Sequence, residues 1–174
     1  MSSDTNAAVQ PATPPTTGAS RTRVEEALAR LGISTEIVET DESARTSVEA
    51  AAAIGCDVAQ IAKSIVFRGK QSDRCVLVIA SGADRIDEKK LRAELDEPVS
   101  KADAEFVRNR TGFAIGGVAP VGHIGPVTIL VDRHLWTLDP IWAAAGTPRT
   151  VVRLSADAFH RIPGIRVVDV RHEA

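Results

Sequence analysis

Lys63 and Ser64 are the first residues whose types and position could do chemistry. They precede three large apolar residues, a pattern that predicts a strand with an ammonium group tethered at its end. Such a lysine can serve as a point charge for an anion, or it can extend to solvent along its own methylene chain. Because neighbours on a strand point to opposite faces, Lys63 and Ser64 are not expected to meet as a Ser-Lys nucleophile pair.

A second candidate is the apolar run from Phe113 to His123, which glycines and a proline interrupt. In the part from Gly116 to Gly122, glycine permits unusual backbone angles and could bring N–H groups close to a phosphate or carbonyl oxygen. The alternative is a tight crossover between strands. The run matches neither the GxGxxG fingerprint nor a P-loop, so Rossmann and kinase chemistry are not expected.

Three further candidates stand at the ends of predicted elements. Ser81 and Gly82 follow a strand, where α/β proteins commonly place ligand contacts, although a plain turn into a helix explains them too. Asp132 ends an apolar strand and could orient a substrate amine or a water, or cap the next turn. Gly146 and Thr147 follow three alanines and form either a helix stop or a pocket wall.

Metal and disulfide chemistry are not expected. The four histidines show no i, i+4 spacing, and the two cysteines show no CxxC or Cys/His spacing; these residues are His123, His134, His160, His172, Cys56 and Cys75. We therefore expect no metal and no cofactor. Two isolated cysteines fit a reducing cytoplasm.

Composition bounds the fold and the partners. The 174 residues are 44% hydrophobic with few aromatic side chains, which fits one aliphatic core in a mixed α/β or α+β domain. The net charge is -2, so any contact with RNA must come from a local basic patch. No apolar run approaches the ~18 residues of a membrane span, and no signal peptide is evident at the start, so we expect neither a membrane nor a secreted protein.

The elements that position these residues follow from capping and periodicity. Residues 1–19 are rich in Pro, Ser, Thr and Ala and are predicted to be a disordered leader, so the domain covers 20–174. Helices are predicted at 20–31, with Ser20 as the cap, and at 48–54, 87–95, 102–110 and 155–162. Strands are predicted at 33–40, 63–67, 75–80, 127–132, 151–154 and 165–170, and the polar turn between 63–67 and 75–80 predicts a central hairpin. A basic patch clusters around the predicted helices 87–95 and 102–110 and consists of Arg85, Lys89, Lys90, Arg92, Lys101, Arg108 and Arg110.

Four of these segments, in this order, resemble the YbaK family, which is similar to the editing domain inserted in bacterial prolyl-tRNA synthetase. The segments are Gln60 to Phe67, Ser81-Gly82, Arg110 to His123 and Ala143 to Pro148, and the resemblance covers roughly residues 21–170. A branch of the family specialised for alanine carries a histidine motif that Arg133-His134-Leu135-Trp136 does not match.

The resemblance implies a single mixed α/β domain with a barrel-like central sheet surrounded by helices. It also implies a cytoplasmic, free-standing aminoacyl-tRNA deacylase that acts in trans, with tRNA-Pro as the expected carrier. The small residues of 116–122 and 143–146 predict a pocket that admits a small amino acid (Ala, Cys, Ser, Thr or 2-aminobutyrate). The partners would be the tRNA acceptor end and prolyl-tRNA synthetase. Lys63 and Gly117 would be catalytic, and the substrate contacts would be Ser64, Ser81, Gly82, Gly116, Val118, Ala119, Pro120, Gly122, Asp132, Gly146 and Thr147.

Two other functions remain open from the sequence. A non-catalytic module could keep the same pocket to sense tRNA or a nucleotide. A structural or interaction protein could use the glycine-rich run only as a crossover, and it would have no affinity for an acceptor stem.

Overall fold

The computed structural model describes residues 17–41 and 46–173. In chain order the elements are α1 (Thr17–Arg30), β1 (Ile37–Glu39), α2 (Ser47–Ile54), a 3-10 turn (Val58–Gln60), β2 (Ile61–Gly69), β3 (Cys75–Ser81), α3 (Glu88–Leu95), β4 (Val99–Lys101), α4 (Ala104–Thr111), β5 (Thr128–Asp132), α5 (Arg133–Trp136), β6 (Ile141–Ala144), β7 (Thr150–Leu154), α6 (Ala156–His160) and β8 (Ile165–Val168). None of the described helices is long and apolar enough to cross a membrane.

Capping residues place the helix ends close to their predicted positions. The hydroxyl of Thr46 accepts from the Glu49 N–H at 3.1 Å, and Gly55 closes α2 in the left-handed conformation. Asp87 accepts from the first turn of α3, and Ser155 does the same for α6. Each capping residue lies within a few residues of the helix end that it sets, so the sequence predicts these helix ends.

One mixed sheet of eight strands organises the domain. Its order is β1-β7-β6-β2-β3-β5-β8, and β4 pairs with β2 beside this path. The antiparallel β2–β3 hairpin predicted from the sequence is confirmed at the centre, while β2–β6, β3–β5 and β5–β8 are parallel. The sheet is open, with β1 and β8 at its ends, so it does not close into a barrel.

Both faces of the sheet are covered. On one face Leu77 and Ile79 of β3 pack with α1, α4, α6 and the glycine-rich run, and on the other Val76 and Val78 pack with α3. All seven residues of β3 are buried, as expected of a central strand covered on both sides. The sheet therefore forms the rigid support on which loops at its edges are held.

Two predictions about element boundaries are wrong. Helix α1 begins at Thr17, so Ser20 is not its cap but a buried residue inside it; the rest of the predicted leader lies outside the described residues. The alanines at 143–144 belong to strand β6, so the helix-stop interpretation is also wrong. Like β4 and α5, this strand is too short for its periodicity to show in the sequence.

Candidate functional site

A cavity of about 490 Å³ opens beside the start of β2. We call it the main cavity. Its size is within the range of roughly 300–1,000 Å³ that holds small ligands. The wall combines residues from β2, α2, β6, β7 and two loops, and it includes Lys63, Ser64, Gly82, Gly116, Trp142 and Ala144. The cavity is therefore assembled from segments that are far apart in the sequence.

Four of the predicted site residues meet in this wall: Lys63, Ser64, Gly82 and Gly116. Strand pairing explains part of the convergence, because Ala62 lies opposite Ser81 and the Gly82 N–H donates to the Ile61 carbonyl at 2.7 Å. A Cβ on Gly82 would stand 2.7 Å from the carbonyl oxygen of Val58, so a side chain does not fit at this position.

Lys63 is half-buried and held in place by one hydrogen bond. Its Nζ donates to the backbone carbonyl of Asp84, whose carboxylate in turn contacts Nδ1 of His134 at 2.5 Å. Burial lowers the pKa of Lys63. The nearby charge of Asp84 opposes this shift by a smaller amount, whereas the positive charges of Lys101 and Arg85 add to it. An ammonium has three donors, and one of them is used here.

Ser64 offers a buried hydroxyl to the same cavity. Its Oγ is shielded from solvent and has no hydrogen-bond partner among the described residues. A buried polar atom without a partner costs free energy, and such atoms in native proteins usually mark a site that a ligand or water completes. Ser64 is therefore suited to contact a bound molecule.

The glycine-rich run presents Gly116 rather than Gly117 to the cavity. Gly116 is exposed with φ +88°, and within the described part of the chain its N–H has no acceptor. Gly117 is buried; its N–H donates to Ala114 at 2.9 Å and its carbonyl accepts from Gly146 at 3.1 Å. The expected catalytic role of Gly117 stays a prediction, but Gly116 has the available donor.

The rest of this run supports the wall from behind. Val118, Ala119 and Pro120 are buried and do not line the main cavity. Thr147 exchanges hydroxyl contacts with Thr150 at 2.9 Å, and a Cβ on the neighbouring Gly117 would lie 2.7 Å from the Thr147 backbone. Direct substrate contact by these residues, and by Gly146, stays a prediction.

Three other predicted contacts are engaged in the protein's own hydrogen bonds and do not line the main cavity. Ser81 donates to the Ala59 carbonyl at 2.7 Å, and the Gly122 carbonyl accepts from Arg23 at 3.3 Å. Asp132 is buried, caps α5 and also accepts from the Val170 N–H at 2.9 Å. These bonds match the alternative, structural interpretations of Ser81 and Asp132, whose roles as substrate contacts stay predictions.

Sequence reasoning missed the apolar part of the wall. Trp142 of β6 lines the cavity, and Val48 and Ile115 stand at it with 66% and 56% of their surfaces exposed. One signal was present in the sequence: α2, SVEAAAAI, has almost no polar face, although a surface helix normally has one. An apolar helix side that meets solvent is typical of a binding surface.

The predicted basic patch divides into separate groups. Lys90 pairs with Asp169 and Glu173, and Arg110 pairs with Asp73 at 2.7 Å, so these cations are already neutralised. Arg85, Lys89 and Lys101 have no ion pair within the described ranges. The same ranges contain no group of three or more His, Cys, Asp or Glu residues that could hold a metal.

Known proteins share parts of this sequence and fold. The sequence pattern of the aminoacyl-tRNA editing domain matches residues 41–162. The chain is 31% identical over 120 residues to the uncharacterized protein YwhH of Bacillus subtilis (strain 168), covering 69% of this chain and 76% of YwhH. It is 35% identical over 96 residues to a proline–tRNA ligase of Limosilactobacillus fermentum (strain NBRC 3956 / LMG 18251), covering 53% of this chain and 17% of the ligase.

A solved structure extends the similarity over the whole fold. It is described as "a putative trans-editing enzyme for prolyl tRNA synthetase", and it is 39% identical with a TM-score of 0.81. The match covers 88% of this chain and 98% of that one. The two proteins therefore share their fold over most of this chain.

Proposed function

The chain belongs to the aminoacyl-tRNA editing domain family, and on this premise we propose that it is a trans-editing hydrolase that removes a small amino acid from mischarged tRNA. The main cavity carries the proposal, because one wall joins a tethered cation, a buried hydroxyl and a backbone N–H that has no acceptor in the described part of the chain. The similarity to proline–tRNA ligases favours tRNA-Pro as the carrier. The place of action would be the cytoplasm, where tRNA is charged, beside prolyl-tRNA synthetase.

The proposed reaction adds water to the carbonyl carbon of the aminoacyl ester and breaks the bond to the ribose 3′ oxygen, which leaves with a proton. The ester is already reactive, so the protein mainly orients it and stabilises the oxyanion. Lys63 would hold a phosphate or carbonyl oxygen as a point charge, and the Gly116 N–H would face the oxyanion. The ribose 2′ hydroxyl of the substrate would carry the proton between water and leaving oxygen.

Ser64 would bond the attacking water or the 2′ hydroxyl. This role gives its buried Oγ a partner that the described residues do not supply. Because Lys63 and Ser64 are neighbours on β2, one strand would fix the position of both groups.

The function is tested by incubating the protein with Ala-, Ser-, Cys-, Thr-, 2-aminobutyryl- and Pro-tRNA-Pro and measuring the release of each amino acid. We expect turnover of small amino acids and at least about a tenfold loss in Lys63→Ala, on the order of 1.4 kcal/mol. Lys70→Ala, at an exposed lysine in the β2–β3 turn, is the control.

The outcomes separate the three functions. Binding of tRNA without turnover would identify a sensing module, and absence of binding would identify a structural protein. If Lys63→Ala keeps full activity with an unchanged melting temperature, the main cavity is not the catalytic site.

A further inference from the structure

A second cavity, of about 540 Å³, lies against the other side of Lys63. Lys63 lines both cavities, whereas Ile65 and Phe67, which follow it at two-residue spacing on β2, line only the second. Alternation along the strand explains why Ile65 and Phe67 lie on the same face as Lys63, and Lys63 contributes to the wall of the main cavity as well. Lys63 therefore stands at the boundary between the two spaces.

The second cavity is strongly basic, and we call it the cationic cavity. Its wall holds four cationic side chains and a histidine against two carboxylates: Lys63, Arg85, Lys89, Lys101 and His172 against Asp87 and Glu88. Asp87 is occupied in capping α3, where it accepts from the Lys89 N–H at 2.9 Å. The wall is thus rich in donors for an anion.

Four separate segments bring these cations together. Lys101 lies on β4 opposite Phe67 of β2, and Arg85 lies in the connection between β3 and α3. The His172 N–H donates to the Arg85 carbonyl at 2.8 Å, so the end of the chain closes one side. Lys63, Arg85 and Lys101 all line the wall of this one cavity, so their charges face the same space.

Arg85, Lys89 and Lys101 form no ion pair within the described residues, whereas Lys90, directly beside them, forms two. Clustered cations without partners repel each other, and a bound anion relieves the repulsion. The main cavity, in contrast, has the apolar wall that suits a nucleoside and a small aminoacyl group. The two cavities therefore differ in the chemistry they can bind.

We propose that the cationic cavity binds the phosphodiester strand that leads into the terminal adenosine of the substrate. Lys63 would then sit between the aminoacyl-adenosine in the main cavity and the phosphates of the preceding nucleotides. This assignment rests on the proposed function and adds to it a second subsite, specific for single-stranded phosphodiester rather than for base identity. Arg85 and Lys101 are its main contacts.

The test compares two double variants that remove the same charge. Arg85→Gln with Lys101→Gln alters the cationic cavity, and Lys70→Gln with Arg153→Gln removes one exposed lysine and one exposed arginine that line neither cavity and lie outside the predicted basic patch. The substrates are an aminoacyl-adenosine ester without phosphate, an aminoacylated CCA trinucleotide and aminoacyl-tRNA. The amino acid is the one that the parent enzyme releases fastest.

We expect the first double variant to lose at least about tenfold in kcat/KM on the trinucleotide and on tRNA, and less than about twofold on the adenosine ester. The salt dependence of trinucleotide binding should fall by roughly 1.4 in log–log slope for two lost phosphate contacts. The second double variant should keep the parent values. Equal losses on all three substrates, or equal losses in both variants, would overturn the proposal.

Binding of the deacylated CCA trinucleotide, measured by fluorescence anisotropy, separates this proposal from the proposed function. If the parent binds it and the first double variant does not, the subsite stands even without turnover. If the parent hydrolyses the substrates but both proteins bind the trinucleotide alike, the subsite is wrong and the hydrolase stands. Inorganic phosphate that competes equally well in both proteins would also count against the subsite.

Discussion

At the scale of single residues, the site depends on side chains that are placed at a cost to stability. Burial of Lys63 disfavours its charged form and lowers its pKa, while the Asp84 carbonyl keeps the ammonium in place. The Ser64 hydroxyl is buried without a partner in the described structure. Both features weaken the fold locally. Such losses of stability are common at sites where residues are placed for binding or catalysis.

This cost leads to a prediction for Ser64→Ala. The change removes a buried hydroxyl that has no partner among residues 17–41 and 46–173, so the free energy of unfolding should stay equal or rise by up to about 1 kcal/mol. Deacylation should fall by about tenfold or more, because the proposed contact to water or ribose is lost. Thermal melting and single-turnover hydrolysis measure the two effects on one preparation.

Ser100→Ala, on strand β4 away from the main cavity, is the matched control. It should change neither activity nor melting temperature appreciably. A Ser64→Ala protein that melts several degrees lower, or that keeps full activity, would show that the hydroxyl serves the fold.

Residue types made Lys63 and Ser64 predictable, because a lysine followed by an apolar strand run is visible in the sequence. The contribution of Trp142 was not predictable, since it depends on the parallel pairing of β6 with β2 across about 80 residues of chain. The sequence also does not predict that the Gly116 N–H is available as a donor. This availability depends on which loop carbonyls accept the neighbouring N–H groups, and no local pattern encodes that choice.

At the scale of elements, one carboxylate fixes the turn that joins β2 to β3. Glu97 is only 7% exposed and accepts from the N–H groups of Gln71 and Ser72 and from the Ser72 hydroxyl, at 3.2, 3.2 and 2.8 Å. Arg74 pairs with it at 3.1 Å. These contacts, led by the Ser72 hydroxyl, hold the pKa of Glu97 below its usual range.

The prediction for Glu97→Gln concerns pH. A folded-state pKa below the unfolded value of about 4.3 stabilises the fold above that pH, and the contribution is lost as pH falls through the folded pKa. The variant should therefore melt at a lower temperature than the parent at pH 7, with the difference shrinking below about pH 4. Melting curves from pH 3 to pH 8 measure it.

Glu94→Gln is the control, because Glu94 forms an exposed ion pair with Arg166, a type of contact that contributes little to stability. Its melting temperature should follow the parent at every pH. A constant difference between Glu97→Gln and the parent across the whole range would mean that the charge of Glu97 is unimportant.

Element prediction succeeded where the signal is local and failed where it is not. The helices capped by Thr46, Asp87 and Ser155 and the central hairpin were predictable, because caps and alternation act over a few residues. Strands β4 and β6 have three and four residues and are stabilised by their partners in the sheet. The order of strands, and the fact that the sheet stays open, depend on pairings between distant segments.

At the scale of the whole molecule, two spaces of different character meet at Lys63 on the central strand β2. The main cavity has small residues in its wall, among them Ala62, Gly82, Gly116 and Ala144, beside the larger Trp142. The cationic cavity lies on the other side of Lys63. A substrate with an apolar end and a charged strand fits this arrangement, and the small wall residues then limit the size of the amino acid.

Ala144→Val tests this size limit, because the added methyl groups narrow the main cavity while valine suits a strand. We propose that the aminoacyl side chain lies against this part of the wall. A difference of one methylene is worth about 1–3 kcal/mol in an apolar pocket, so the variant should lose roughly tenfold more kcat/KM on Thr- and 2-aminobutyryl-tRNA than on Ala-tRNA. Hydrolysis of the three substrates side by side gives this ratio.

Ala53→Val adds the same methyl groups on the exposed side of α2, outside the main cavity, and should leave the ratio unchanged. Valine has a lower helix propensity than alanine, so the melting temperature of Ala53→Val shows how much stability this substitution costs. The parent enzyme should spare Pro-tRNA, because the ring of proline cannot be seated in a wall shaped for small acyclic side chains. If Ala144→Val slows all substrates by the same factor, or if the parent releases proline rapidly, the wall does not select by size, and selectivity must come from the tRNA.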